Sequence, residues 1–208
     1  MSAVDPVSLL GSGRGAEPTF LVGYRVFTIE DLLDETQCAG IRAWAEARQW
    51  EHEAPISTAS GFVRRTAVRN NDRLIVDDHD WAAALWSRVE HAFPLIADCP
   101  PVGLNERFRF YRYRPGQYFK AHYDGYYARP EGSARSVFTL MLYLSDVEAG
   151  GETRFHDARV TVTPREGMAC GFVHDQLHAG EPVLQGEKWV LRTDVMYDLR
   201  PASSRLTP

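Results

Sequence analysis

One stretch of the chain carries residue types that could do chemistry together: Phe119-Lys-Ala-His122-Tyr-Asp124-Gly-Tyr-Tyr127. On a strand, residues two apart project to the same face. His122 and Asp124 would then offer an imidazole nitrogen and a carboxylate oxygen side by side. Two imidazoles and one carboxylate on a triangular face leave three metal positions open, the donor set suited to non-haem Fe(II). The pair alone does not define such a site, since a surface His beside a turn Asp has the same spacing. A third ligand has to come from a distant strand, and His156, His174 and His178 are the candidates. His178 lies in Leu177-His-Ala-Gly-Glu-Pro-Val183, ten residues before Lys188 on the last extended run. By parity Lys188, Val190, Arg192 and Asp194 share one face of that run. An inward Lys in an apolar barrel is costly unless an anion meets it. An outward, solvated Lys188 is the alternative, and its polar same-face company is compatible with that.

These residues need a frame, and the pattern from residue 107 onward supplies short strands. Arg107-Phe-Arg-Phe-Tyr-Arg-Tyr113 alternates strictly, with Arg107, Arg109, Tyr111 and Tyr113 on one face and Phe108, Phe110 and Arg112 on the other. Pro115-Gly116 turns the chain, and residues 118–123 return as a strand carrying the His/Asp pair. Further strands are expected at 136–145, 150–155, 159–163, 167–174 and 188–197. Ahead of them, 21–29 reads as a first strand. A helix then runs from about Thr28 to Arg48, with Leu32, Leu33, Cys38, Ile41, Trp44 and Ala45 as its apolar stripe. Residues 62–68 read as a strand, and Asp80 as the cap of a second helix, 81–93. The fold class is α+β with a mainly β core, a sandwich or jelly roll whose N-terminal strand and helices pack on the outside of one sheet.

With 208 residues, 44% hydrophobic and 25% charged, the chain reads as one soluble globular domain. Residues 1–18 are expected to be a flexible N-terminus, 19–200 a single domain with its core at about 107–197, and 201–208 a tail. A net charge of −5 argues against a general nucleic-acid or membrane-surface binder. No apolar run is long enough to span a bilayer, and Met1-Ser-Ala-Val-Asp-Pro6 lacks the features of a secretory leader. Cys38, Cys99 and Cys170 are too widely spaced for a disulfide framework or a zinc knuckle. A reduced, cytoplasmic protein is the expectation.

Three ordered blocks add a resemblance. Tyr113-Arg-Pro-Gly-Gln-Tyr-Phe-Lys-Ala-His122-Tyr-Asp124, then Tyr143-Leu-Ser-Asp-Val-Glu-Ala-Gly-Gly-Glu-Thr-Arg-Phe155, then His178-x-Gly-x-Pro-Val-x-x-Gly-x-Lys188 resemble the prolyl 4-hydroxylase-like group of Fe(II)/2-oxoglutarate dioxygenases. The resemblance covers about residues 107–197 and implies a double-stranded β-helix, with His122, Asp124 and His178 as iron ligands. It implies that Lys188 holds the distal carboxylate of 2-oxoglutarate, that Tyr143 donates a hydrogen bond to the same group, and that Tyr113 contacts the cosubstrate near its C1 end. His156 and His174 fall outside the pattern and read as ordinary surface or loop histidines. The implied reaction uses O2, with ascorbate as reductant, to hydroxylate an unactivated C–H while 2-oxoglutarate becomes succinate and CO2. Arg192 is a departure: two strand positions beyond Lys188, it could supplement that lysine on the cosubstrate or contact the substrate.

The substrate does not follow from the resemblance, because many oxygenases share this fold and iron site. Arg69, Asn71 and Arg73, with Tyr126, Tyr127 and Arg129 after the ligand pair, are expected to line the cavity mouth. The same Arg- and Asn-rich segment could instead be a solvated turn. A protein or peptide side chain, prolyl included, is the expected substrate. A free amino acid or small metabolite is the alternative, and a non-catalytic binding protein that kept the fold is a third reading.

Overall fold

A computed structural model describes residues 6–58 and 61–200; the expected tail, 201–208, lies outside them. The chain begins with α1 (Pro6–Leu10), β1 (Thr19–Phe20), β2 (Val26–Ile29) and α2 (Glu35–Glu46), then β3 (Ile56–Thr58), β4 (Gly61–Val63), β5 (Asp72–Asp77) and α3 (His79–Val89). β6 (Pro101–Leu104), β7 (Arg107–Tyr113), β8 (Phe119–His122), β9 (Arg135–Tyr143), β10 (Ala149–Gly150) and β11 (Thr153–Phe155) follow. The last strands are β12 (Val160–Val162), β13 (Ala169–Val173), β14 (His178–Gly180), β15 (Val183–Gln185) and β16 (Lys188–Tyr197).

The strands form a major sheet ordered β1-β2-β13-β9-β16-β7-β5, with β6 also on β16, and a minor sheet ordered β12-β11-β14-β8. The strand pairings within both sheets are antiparallel. This is a jelly roll, and the period of two along each major-sheet strand sorts its side chains between two cores. Phe108, Phe110, Leu140, Leu142, Leu191 and Val195 join Cys38, Ile41, Trp81 and Leu85 of α2 and α3 in the outer core. The alternate residues Tyr111, Tyr113, Met141, Tyr143, Cys170, Phe172 and Val190 point between the sheets and form the inner core with Phe155 and Val183. In the outer core the Trp81 ring stacks on Phe110 at 5.6 Å and lies 4.8 Å from Phe108, so α3 is fixed on β7 by aromatic faces. Gly171 is required where β13 meets β2: a Cβ there would lie 2.3 Å from the Phe27 ring.

Several boundaries differ from expectation for identifiable reasons. The strand expected at 21–29 is limited to β2, because Leu21 and Val22 donate to the Val26 carbonyl and close a turn. The first helix starts only at Glu35, where Asp34 and Gln37 form a capping box; Thr28 and Ile29 belong to β2. The cap of α3 is Asp78, accepting from the Trp81 N–H, and not Asp80, which lies inside the helix. Of the strand expected at 62–68 only β4 exists, and Arg65 to Arg69 close a turn through the Arg65 carbonyl. The segment read as flexible contains α1, whose Leu10 is wholly buried in the outer core. None of the helices among the described residues is long and apolar enough to cross a membrane.

Candidate active site

The minor sheet brings two imidazoles together: His178 of β14 is the cross-strand partner of His122 at the end of β8, with ring centroids 4.3 Å apart. His122 Nδ1 donates to the Lys120 carbonyl (2.8 Å) and His178 Nδ1 to the Gln176 carbonyl (2.9 Å). A carbonyl can only accept, so both rings carry their proton on Nδ1 and turn a bare Nε2 lone pair inward. Burial, reinforced by the neighbouring His178, pushes His122 down to about 3, and burial likewise lowers His178. Both are therefore neutral at physiological pH, the form that ligates metal.

Asp124 completes the set, and its donor atom and the two imidazole nitrogens all lie within 4.8 Å of one another. His122 Nε2 is 3.7 Å from Oδ1 and His178 Nε2 is 3.9 Å from Oδ2. The strand ends at His122, so strand parity is not what places Asp124. Its Oδ2 accepts from Thr139 Oγ1 at 2.6 Å and lies 3.1 Å from the Arg192 guanidinium. Burial alone would raise its carboxyl; Arg192 and the two imidazoles instead hold it well below the usual carboxylate range. Arg192 also pairs with Asp194 at 3.0 Å, and Asp194 pairs with Arg109 at 3.2 Å. Arg192 lines the cavity, as a contact with cosubstrate or substrate requires; its guanidinium is also held by Asp124, Asp194 and Thr139, and its Nε is buried without a hydrogen-bond partner. Two imidazole nitrogens and a carboxylate oxygen converging in this way fit an Fe(II)-type ion.

Beyond the triad, the cavity of about 440 Å³ is lined by Tyr113, Met141, Thr153, Lys188 and Val190. Lys188 is 3% exposed and faces inward. Its Nζ donates to the Gly151 carbonyl at 2.6 Å and lies 3.4 Å from Thr153 Oγ1, with the Tyr113 and Tyr143 rings each 5.5 Å away. No carboxylate of the described residues is at ion-pair distance from it, and burial pushes it down to about 8. A buried ammonium in this condition fits an anionic ligand such as a dicarboxylate. Tyr143 is fully buried and its hydroxyl donates to Thr153 Oγ1 at 2.8 Å, so Thr153, not Tyr143, faces the cavity. Burial pushes the Tyr113 hydroxyl well above its usual range.

Of the expected mouth residues, Arg69, Arg73, Tyr126 and Tyr127 line the cavity. Asn71 does not: it is fully buried behind the wall, accepting from Arg69 Nε at 2.7 Å. Arg129 is also off the wall, held by both carboxylate oxygens of Glu106 at 3.1 and 2.7 Å. His174, read as an ordinary surface or loop histidine, does lie in the turn after β13, but its side chain is only 10% exposed, with Nε2 3.8 Å from Asp194 of the Arg192 network. Thr139, Thr153 and Asp194 were not singled out as site residues in the sequence. Thr139 sits two residues from Met141 and four from Tyr143 on β9, so parity from Tyr143 was the available signal.

A double-stranded β-helix with a His-Asp-His triad at one end of its cavity and a buried basic residue deeper inside defines the Fe(II)/2-oxoglutarate-dependent oxygenases. Residues 108–193 match the family described as 2OG-Fe(II) oxygenase superfamily, and this match and the relatives below support a prolyl 4-hydroxylase-like 2OG-Fe(II) oxygenase. It is 28% identical over 192 residues to prolyl 4-hydroxylase 13 of Arabidopsis thaliana, covering 80% of this chain and 69% of that protein. It is 32% identical over 210 residues to prolyl 4-hydroxylase 2 of the same plant, covering 79% and 64%. The chain thus spans about two thirds of the length of these relatives. Its fold matches a Trichoplax adhaerens prolyl hydroxylase solved with a hypoxia inducible factor peptide fragment, at TM-score 0.63, 13% identity and 83% coverage of both chains.

Proposed function

We propose that this chain hydroxylates an unactivated C–H of a protein or peptide side chain, with prolyl the first to test, and that His122, Asp124 and His178 are its metal ligands. The observation that carries this is the pairing, in one cavity, of three converging metal donors with a buried lysine that lacks a carboxylate. The relatives' names, prolyl 4-hydroxylase 13 and 2, support the peptide reading. Fe(II), with 2-oxoglutarate and O2, supplies the oxidant: one oxygen atom enters the C–H as hydroxyl and the other enters succinate as CO2 leaves.

The protein's part is positional. His122 and His178 are locked by their Nδ1–H bonds to carbonyls, so no ring rotation precedes metal binding. Thr139 and Arg192 occupy Asp124 Oδ2, leaving Oδ1 as the oxygen for the metal. Lys188 and Thr153 receive the distal carboxylate of 2-oxoglutarate, with Tyr113 beside them and Tyr143 holding Thr153 in place. Met141 and Val190 keep that end of the cavity dry, which strengthens the charge pairing.

The test is succinate release by the full chain with Fe(II), ascorbate, 2-oxoglutarate and proline-containing peptides, beside Co(II) binding followed by visible absorption. Peptide-stimulated succinate is expected. His122→Ala, Asp124→Ala and His178→Ala should each lose both signals while remaining folded. Turnover by His178→Ala together with its loss in His174→Ala would place the third ligand elsewhere.

A further inference from the structure

The cavity contains a second unmatched cation. Arg69 is 4% exposed and lines the wall. Its backbone runs beside β8, where Arg69 bridges to Phe119 and the Lys120 N–H donates to the Val68 carbonyl at 2.9 Å. Its guanidinium lies against two aromatic faces, 4.3 Å from the Tyr111 ring centroid and 4.6 Å from that of Phe119. One edge is satisfied, because Nε donates to Asn71 Oδ1 at 2.7 Å, and the Asn71 amide donates to the Asp72 carbonyl at 2.8 Å. The other edge is not: the second terminal nitrogen is buried with no hydrogen-bond partner.

The remaining arginines on this wall are matched by carboxylates. Arg73 pairs with Glu51 at 2.6 Å, Arg107 with Asp77 at 2.8 Å, Arg109 with Asp194 at 3.2 Å, and Arg192 with Asp124 and Asp194. Among the described residues, Lys188 and Arg69 are the lining cations without one. In the reading proposed above, Lys188 takes the distal carboxylate of 2-oxoglutarate and the metal takes its other end. The anion for Arg69 is then not the cosubstrate's. Phe119, on which the guanidinium rests, stacks on the His122 imidazole with ring centroids 3.6 Å apart. Arg69 is thus one ring removed from a metal ligand, where a substrate would present its C–H.

We infer that Arg69 recognises a carboxylate of the prime substrate. The free guanidinium edge matches a carboxylate, and the neighbouring arginines already have their charge matched by Glu51, Asp77, Asp124 and Asp194, which leaves one uncompensated positive charge for a singly charged anion. The ring sandwich and the Asn71 hydrogen bond hold the side chain in place before the ligand arrives, so little rotamer freedom is lost on binding. This rests on the oxygenase reading and narrows its substrate. The carboxylate belongs to a free amino acid, a peptide C-terminus or an acidic side chain next to the oxidised residue.

The test is calorimetry on the full chain loaded with Co(II) and 2-oxoglutarate, using paired probes: N-acetyl-proline against its amide, acetyl-Pro-Asp-amide against acetyl-Pro-Asn-amide, and free proline against prolinamide. In the wild type at least one acid should bind about tenfold or more tighter than its partner, and the best pair identifies the source of the carboxylate. Arg69→Gln should remove the difference, Arg69→Lys should keep part of it, and the 2-oxoglutarate Kd should stay within about twofold in both. Equal binding of acids and amides, binding of no probe, or a preference that survives Arg69→Gln overturns the inference. So does a loss of 2-oxoglutarate affinity in Arg69→Gln, which would assign Arg69 to the cosubstrate. Failure of the wild type to bind 2-oxoglutarate beside Co(II) is a separate reading and removes the oxygenase assignment itself.

Discussion

An ammonium group taken from water needs a reason to stay charged, and at Lys188 the protein offers the Gly151 carbonyl, the Thr153 hydroxyl and two tyrosine ring faces, but no carboxylate at ion-pair distance among the described residues. Burial therefore pushes it down to about 8. A carboxylate arriving in the cavity supplies the missing charge, so cosubstrate binding should depend on the Lys188 proton. As pH rises through about 8 the free enzyme loses that proton, and the KM for 2-oxoglutarate should climb about tenfold per further unit. Lys188→Arg should flatten that rise, and Lys188→Ala should raise KM about ten- to a hundredfold at pH 7. A pH-independent KM between 7 and 9.5 in the wild type would mean that Lys188 does not meet the anion. That Lys188 shares a face with Val190, Arg192 and Asp194 was legible from parity, but this polar company left inward and outward both open. The pairing of Arg192 with Asp124 was not, because it joins a strand to a loop residue, and no local spacing encodes that contact.

At the scale of elements, strict alternation made β7 and β16 readable, since each buries both faces and one slip would exchange Phe110 for Tyr111 or Leu191 for Arg192. Elements ahead of residue 100 were less legible. β-branched and apolar residues continue through turns there, and the start of α2 is decided by the Asp34–Gln37 capping box rather than by its apolar stripe. The ligand pair was found by assuming a strand through Tyr123, yet β8 stops at His122 and side-chain bonds do the rest. Gly171 shows a constraint of the same tertiary kind. Its missing side chain is filled by Phe27 from β2, so Gly171→Ala should destabilise by about 1–3 kcal/mol through overpacking. Urea unfolding of Gly171→Ala, Phe27→Leu and the double variant should give costs that fall short of additivity, because the smaller ring site relieves the clash. Additive costs would show that the two residues do not oppose each other across the strands.

For the whole molecule, a net charge of −5 coexists with a cavity wall rich in arginine, and the balance between them is held by buried groups whose charge state is not free to change. Burial lowers the pKa of His122, to about 3, and also that of His174 and His178. In the unfolded chain each titrates near 6.5, so below that pH the unfolded state binds protons that the native state refuses. Stability is therefore intact above pH 6.5 and is lost as pH falls below it, a loss that continues to about pH 3 for His122. The carboxylates of Asp72, Glu106 and Asp124, all lowered in the native state, add to the loss only once pH drops below their unfolded values near 4. Urea midpoints of the metal-free chain should thus fall already between pH 6.5 and 5, where no carboxylate titrates. His174→Gln, which removes one of the three without touching the triad, should make that fall shallower. Bound Co(II), which needs neutral imidazoles, should steepen it. Midpoints that stay level from pH 7.5 to 5 would mean that these rings are open to solvent and take up protons in the folded chain.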